Sequence, residues 1–114
     1  MSLNISELWD YDHPALSEER FRAALATASA DEALILHTQI ARSYGLRRDF
    51  AKAQEILTEI EPQLQKASLE AQAYYSLELG RTYSSATHPD ESQTDEVKEK
   101  ARRAYLRAFE LAKE

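Results

Sequence analysis

Several residue types that other fold classes depend on are scarce or absent in this 114-residue chain. It has no cysteine, which excludes disulfides, thiolate metal sites and a cysteine nucleophile. Two glycines and three prolines are too few for the turns of a β-sandwich, a β-barrel or a phosphate-binding loop. Valine, which favours strands, occurs once, at Val97. These absences argue against β architectures and nucleotide-binding loops.

The residues that are abundant favour helices. Ala, Leu, Glu, Arg and Lys make up about half of the chain, and the length suits one domain with a single core. A formal net charge of −6 gives no electrostatic basis for binding nucleic acid. No leader-like start and no long apolar run is present, so we expect no membrane association and a cytoplasmic location.

Apolar periodicity predicts about five helices joined by short links. Pro14 suits a first helical turn, and Ser29 with Glu32 forms a capping box. Gly45 is a natural helix C-terminus, and Pro62 should loosen the end of the third helix. Asp49, Ser68 and either Ser92 or Thr94 are expected to cap the later helices. The predicted helices span about 14–29, 30–45, 50–65, 69–83 and 95–114.

An internal repeat organises these helices. Residues 40–44 read IARSY and residues 79–83 read LGRTY, 39 positions later. The set Ala53, Leu57 and Ile60 has the same spacing as Ala101, Tyr105 and Ala108, 48 positions later. The larger second offset indicates an insertion inside the second unit, in the polar loop near 86–93. The repeating unit is therefore a pair of helices.

This pattern resembles the tetratricopeptide repeat, a helical hairpin marked by small and aromatic residues at fixed positions. The small residues let two helices approach closely, and the larger ones fill the space between hairpins. The resemblance implies an all-α fold of antiparallel hairpins stacked as a short right-handed α-solenoid. It divides the single domain, 1–114, into an N-terminal segment with a capping helix (1–33), a first repeat (34–66) and a second repeat (67–114).

Candidate chemistry is sparse. His13, His37 and His88 are far apart and lack the spacing of a metal site. The acidic clusters are best explained as solvated helix faces or loops. With only Gly45 and Gly80 available, no nucleophile elbow or glycine-rich phosphate loop exists. We expect no enzymatic activity, no metal and no cofactor.

Arg42 and Arg81 occupy the same place in the two units and face away from their hairpin partners. The resemblance places this face on the concave side, where a peptide would bind. In a simpler interpretation the two arginines only pair with nearby acids such as Glu78, Glu32 or Asp31. The Lys and Asn of the family's carboxylate clamp are absent. The predicted groove residues are Ile35, Thr38, Arg42, Tyr74, Leu77 and Arg81.

The two ends of the chain carry further apolar residues. Trp9 and Tyr11 either pack against the first helix or form a docking arm for another chain. Leu106 and Phe109 lie outside the stripe that the last helix turns to its hairpin partner. Either the chain is the N-terminal part of a longer array, or this face buries itself in a homodimer through the last helix.

The sequence therefore predicts a non-catalytic scaffold or adaptor module that binds a protein or peptide segment in a helix-lined groove. The alternative is a regulatory or sensor domain that binds a small molecule or signalling peptide and changes its oligomeric state.

Overall fold

Four helices begin at residues whose side chains cap the first turn in the computed structural model, which describes residues 4–83 and 93–112. The hydroxyl of Ser29 accepts from the amide of Glu32 at 3.2 Å, and the Glu32 carboxylate accepts from the amide of Ser29 at 2.9 Å. This is the predicted capping box. In three further caps, the side-chain oxygens of Asp49, Ser68 and Thr94 accept hydrogen bonds from the backbone amides of Lys52, Ala71 and Val97, respectively.

The described residues form α-helices and two 3₁₀ segments, with no strand among them, so the all-α class is confirmed. Five of the α-helices correspond to the predicted ones; the short α1 was not predicted. The loop expected near 86–93 lies outside the described residues except for Gln93. In chain order the elements are α1 (Ile5–Leu8), α2 (Pro14–Ala24), a 3₁₀ turn (Leu25–Thr27), α3 (Ala30–Leu46), α4 (Phe50–Ile60), a 3₁₀ segment (Glu61–Lys66), α5 (Leu69–Tyr83) and α6 (Asp95–Ala112).

Two helix ends differ from expectation. α2 stops at Ala24, well before residue 29, because the chain tightens into a 3₁₀ turn and becomes extended at Ala28 to reach the Ser29 cap. α3 continues through Gly45 to Leu46, and the left-handed residue that follows is Arg48, with φ 65°. The helix therefore ends one residue beyond Gly45, near the predicted end, but glycine's conformational freedom is not used there. Pro62 does loosen the chain after α4, which becomes 3₁₀.

α3 is the central helix. It packs against α2 on one side, forms a hairpin with α4, and contacts α5. α5 forms the second hairpin with α6 and also touches α4, where the amide of Gln54 donates to the hydroxyl of Thr82 at 3.3 Å. The first hairpin thus positions α5, and α5 in turn positions α6.

Small residues allow the helices of each hairpin to approach closely. Ala41 and Ala53 are almost completely buried in the first hairpin. In the second, a Cβ added to Gly80 would lie 2.9 Å from two ring carbons of Tyr105, so only glycine fits without a shift. Among the described residues, no helix combines the length and apolar character needed to cross a bilayer.

Candidate functional site

The six predicted groove residues share one side of α3 and α5, but they differ in accessibility. Ile35 and Thr38 on α3 are buried, so in this conformation they offer no side chain to a partner. Tyr74, Leu77 and Arg81 on α5 remain half-buried. Arg42 on α3 is half-buried as well, and the other accessible residues of this surface lie on the second unit.

The N-terminal segment covers part of α3. The indole Nε1 of Trp9 donates to Oε1 of Gln39 at 2.9 Å, and the indole meets Phe21 of α2 edge to face at 4.9 Å. Trp9 is only 8% exposed. Of the two alternatives from the sequence, packing on the first predicted helix is confirmed for Trp9, whereas Tyr11 is 54% exposed. The contact with Gln39 on α3 was not anticipated.

Arg42 is held by the same segment. Trp9 and Tyr11 stack with ring centroids 4.7 Å apart, and Cζ of Arg42 lies 5.2 and 5.0 Å from the two centroids. This cation–π arrangement stabilises the segment on α3 and engages the guanidinium.

A buried carboxylate joins α3 to α5. Glu78 is 2% exposed. Its Oε2 accepts a hydrogen bond from the guanidinium of Arg81 at 2.7 Å and another from the side-chain amide of Gln39 at 3.3 Å. Its Oε1 is buried without a hydrogen-bond partner. Burial raises the pKa of Glu78, and the positive charges of Arg81 and Arg42 oppose this only in part.

Glu78 has an arginine and an amide as its hydrogen-bonding neighbours, and neither is a nucleophile. No group of three or more acidic or histidine side chains in the described ranges is arranged to hold a metal ion. Arg81 does pair with Glu78, which was the simpler interpretation of this arginine.

An open groove with a volume of about 640 Å³ lies between α5 and α6 on this side. We call it the α5–α6 groove. Its lining is mostly apolar, and Leu69 at its rim is 44% exposed. Tyr74 and Leu77 are the two predicted groove residues that line it. The complete lining is Leu69, Glu70, Ala73, Tyr74, Leu77, Ala108, Leu111 and Ala112.

The α6 side of this groove was missed by the sequence analysis. Ala108 was placed in the hairpin contact, and Leu111 was assigned no role in a groove; both are buried. The side of α6 that packs on α5 therefore also lines the groove near the C-terminal end of α6. Only the relative position of α5 and α6 reveals this second role.

A smaller, more polar cleft of about 420 Å³ lies on the other side of Tyr74 and Glu70, against α1. Asn4, Ile5 and Ser6 form its outer wall. The N-terminal segment thus lies along α3 and reaches the edge of α5, but the residues that line the α5–α6 groove do not include any of it.

Two apolar side chains on the outer face of α6 are also exposed. Leu106 is 47% exposed and Phe109 is 59% exposed. This is the exposure from which self-association was predicted, and the dimer itself stays a prediction.

Comparisons with known proteins add no relative. No protein-family model matches the sequence, and searches of curated proteins and of solved structures return no match. The resemblance to tetratricopeptide repeats therefore rests on the residues of the two units.

Proposed function

We propose that this chain is a non-catalytic interaction module, built like a short tetratricopeptide array, that binds a segment of another protein in the α5–α6 groove. The right-handed stacking of the two hairpins belongs to the same proposal. It is supported by the order of contacts, in which α5 packs on both helices of the first hairpin.

One observation carries the proposal: a groove of about 640 Å³ with a mostly apolar lining is open to solvent. Apolar surface of this kind is costly to leave in water and is typical of binding sites. The exposed Leu69 at the rim extends the surface beyond the floor of the groove.

The remaining polar features favour binding over chemistry. Arg42 and Glu78 hold the N-terminal segment and α5 in place, as expected for a scaffold that keeps a binding surface rigid. A homodimer through Leu106 and Phe109 is a separate proposal, supported by their exposure on α6.

A displayed peptide library selected on the full chain tests the proposed function. Recovered peptides should bind wild type and lose binding to Ala73→Arg, which places a long cation in the groove. Ala51→Arg is the matched control, because Ala51 is an exposed residue of α4 outside the groove. Melting curves check that both variants fold.

Peptides that bind Ala73→Arg and wild type equally well would contradict the groove as the binding site. Failure to recover any peptide that discriminates the two variants would contradict the proposed function.

A further inference from the structure

The α5 side of the groove repeats a face of α3 that is already occupied. By the 39-residue spacing of the two units, Asp31, Leu34, Ile35 and Thr38 correspond to Glu70, Ala73, Tyr74 and Leu77. The second set lines the α5–α6 groove. The element that packs against the first set therefore indicates what kind of ligand fits against the second set.

α5 packs on the α3 face. The carboxylate of Asp31 accepts from the amide of Ser68 at 2.8 Å and from its hydroxyl at 2.7 Å, at the N-terminus of α5. The same hydroxyl accepts from the amide of Ala71, so Ser68 is the cap of α5 and Asp31 holds that cap. Leu34, Ile35 and Thr38 are buried, and Ile35 borders a cleft that it shares with Glu70 and Tyr74 of α5 and with N-terminal residues 4–6.

The two helices run in the same direction. Asp31 near the start of α3 meets Ser68 at the start of α5, and Gln39 further along α3 meets Glu78 further along α5. Partners along this contact are 37 to 39 residues apart. The register of the second unit on the first therefore follows the repeat.

The corresponding place in the second unit is open. Glu70 is exposed, and within residues 4–83 and 93–112 its carboxylate makes no hydrogen bond or ion pair. Its position matches that of Asp31, which accepts two hydrogen bonds from a helix cap. Among the described residues, Glu70 is the one charged side chain that lines the groove.

We propose that the α5–α6 groove binds an amphipathic α-helix of a partner protein, parallel to α5, with the helix N-terminus on Glu70. The partner helix has a hydroxyl residue at its N-cap and an apolar stripe that covers Ala73, Tyr74 and Leu77. The positive end of its dipole complements the Glu70 carboxylate, as the α5 N-terminus complements Asp31. This inference rests on the proposed function and specifies its ligand.

The sequence of α5 supplies the probe, because α5 is the helix that this face of α3 binds. A peptide of residues 67–83 is acetylated, amidated, stapled across its outward face so that it is helical before binding, and labelled with a fluorophore at its C-terminus. In the protein, Gln39 of α3 contacts Glu78 of α5. By the same correspondence, residue 78 of the peptide would meet Glu78 of the protein, so the peptide carries Glu78→Gln to keep two carboxylates apart. Fluorescence anisotropy measures its binding to the full chain.

Two groove variants have matched controls. Leu77→Arg blocks the groove, while Leu16→Arg makes the same change at an exposed site on α2. Glu70→Gln removes the proposed N-terminal contact, while Glu19→Gln changes an exposed carboxylate of α2. We expect Leu77→Arg to weaken binding by about tenfold or more and Glu70→Gln by about two- to fivefold, with no effect of either control.

Three results would overturn the inference. Binding that is insensitive to Leu77→Arg means that the peptide docks elsewhere, for instance by displacing α5 from α3. If the peptide binds Glu70→Gln and Glu19→Gln with equal affinity, its N-terminus does not contact Glu70. Self-association of the unliganded protein that Leu77→Arg abolishes would make a second copy the occupant.

The display selection separates this inference from the proposed function. If the stapled helix does not bind while groove-dependent peptides that are extended are recovered, the helical ligand is wrong and the interaction module stands. If neither binds, the proposed function fails as well.

Discussion

Gly80 and Tyr105 offer a quantitative test of the internal repeat. An alanine Cβ at position 80 would lie 2.9 Å from two ring carbons of Tyr105, well inside contact distance. The corresponding pair in the first unit is Ala41 with Leu57, both buried in the core. The second unit thus combines a smaller residue on the first helix with a larger one on the second.

The effect of Gly80→Ala should change sign with the side chain at position 105. Beside Tyr105, overpacking costs about 2 kcal/mol and the better helix propensity of alanine returns about 1 kcal/mol, so we expect a net destabilisation of about 1 kcal/mol. In the Tyr105→Leu background the clash with the ring is gone, and the same change should stabilise the fold by about 1 kcal/mol. The coupling free energy is then about 2 kcal/mol.

Urea unfolding followed by circular dichroism gives all four free energies of unfolding in one cycle. The single variant Tyr105→Leu serves as the reference for the double variant. Effects of Gly80→Ala that agree within about 0.5 kcal/mol in the two backgrounds would refute the idea that these positions compensate one another.

Three further predictions concern other parts of the molecule. Because burial raises the pKa of Glu78, the folded protein keeps the Glu78 carboxyl protonated at pH values where the unfolded chain has lost this proton. The wild type should therefore lose stability relative to Glu78→Gln as the pH rises from about 4.5 through the raised pKa. Urea melts in which the stability difference between the two proteins does not vary with pH would contradict this. Trp9→Phe leaves Oε1 of Gln39 without its donor and should destabilise the fold by about 1–3 kcal/mol, whereas an unchanged melting temperature would mean that the N-terminal segment adds no stability. If α6 mediates a dimer, light scattering at about 100 μM should show one that disappears when Leu106 and Phe109 are both changed to Gln; a monomer unaffected by the change would dismiss this surface.

Local signals in the sequence predicted most of the helix starts. The cap of a helix involves residues within one turn of each other, so Ser29 with Glu32 and Asp49 with Lys52 are legible from spacing alone. The same holds for Pro62, whose ring and missing amide act on its own turn.

Contacts between distant segments left no such signal. Trp9 reaches Gln39 across 30 positions, and nothing in the sequence near Trp9 specifies this partner. The burial of Ile35 and Thr38 likewise depends on how the chain folds back over α3, which periodicity does not describe. Helical periodicity gives the direction of a side chain around its own helix but not what covers that direction.

The repeat carried more tertiary information than the periodicity did. Its 39-residue spacing pairs Gln39 with Glu78, which are in contact, and it relates the occupied face of α3 to the open face of α5. The α6 side of the groove lay beyond this reasoning, because the structure places the end of α6 beside the start of α5.

The direction of a bound helix tests the central claim most directly. A nitroxide spin label is placed at either end of the stapled 67–83 peptide, and line broadening of the backbone amides of the full chain is recorded by NMR. If the groove binds a helix as α3 binds α5, the N-terminal label should broaden Glu70 and Ala73, and the C-terminal label should broaden Arg81 and Tyr83. The reverse pattern, or equal broadening from both labels, would contradict the account.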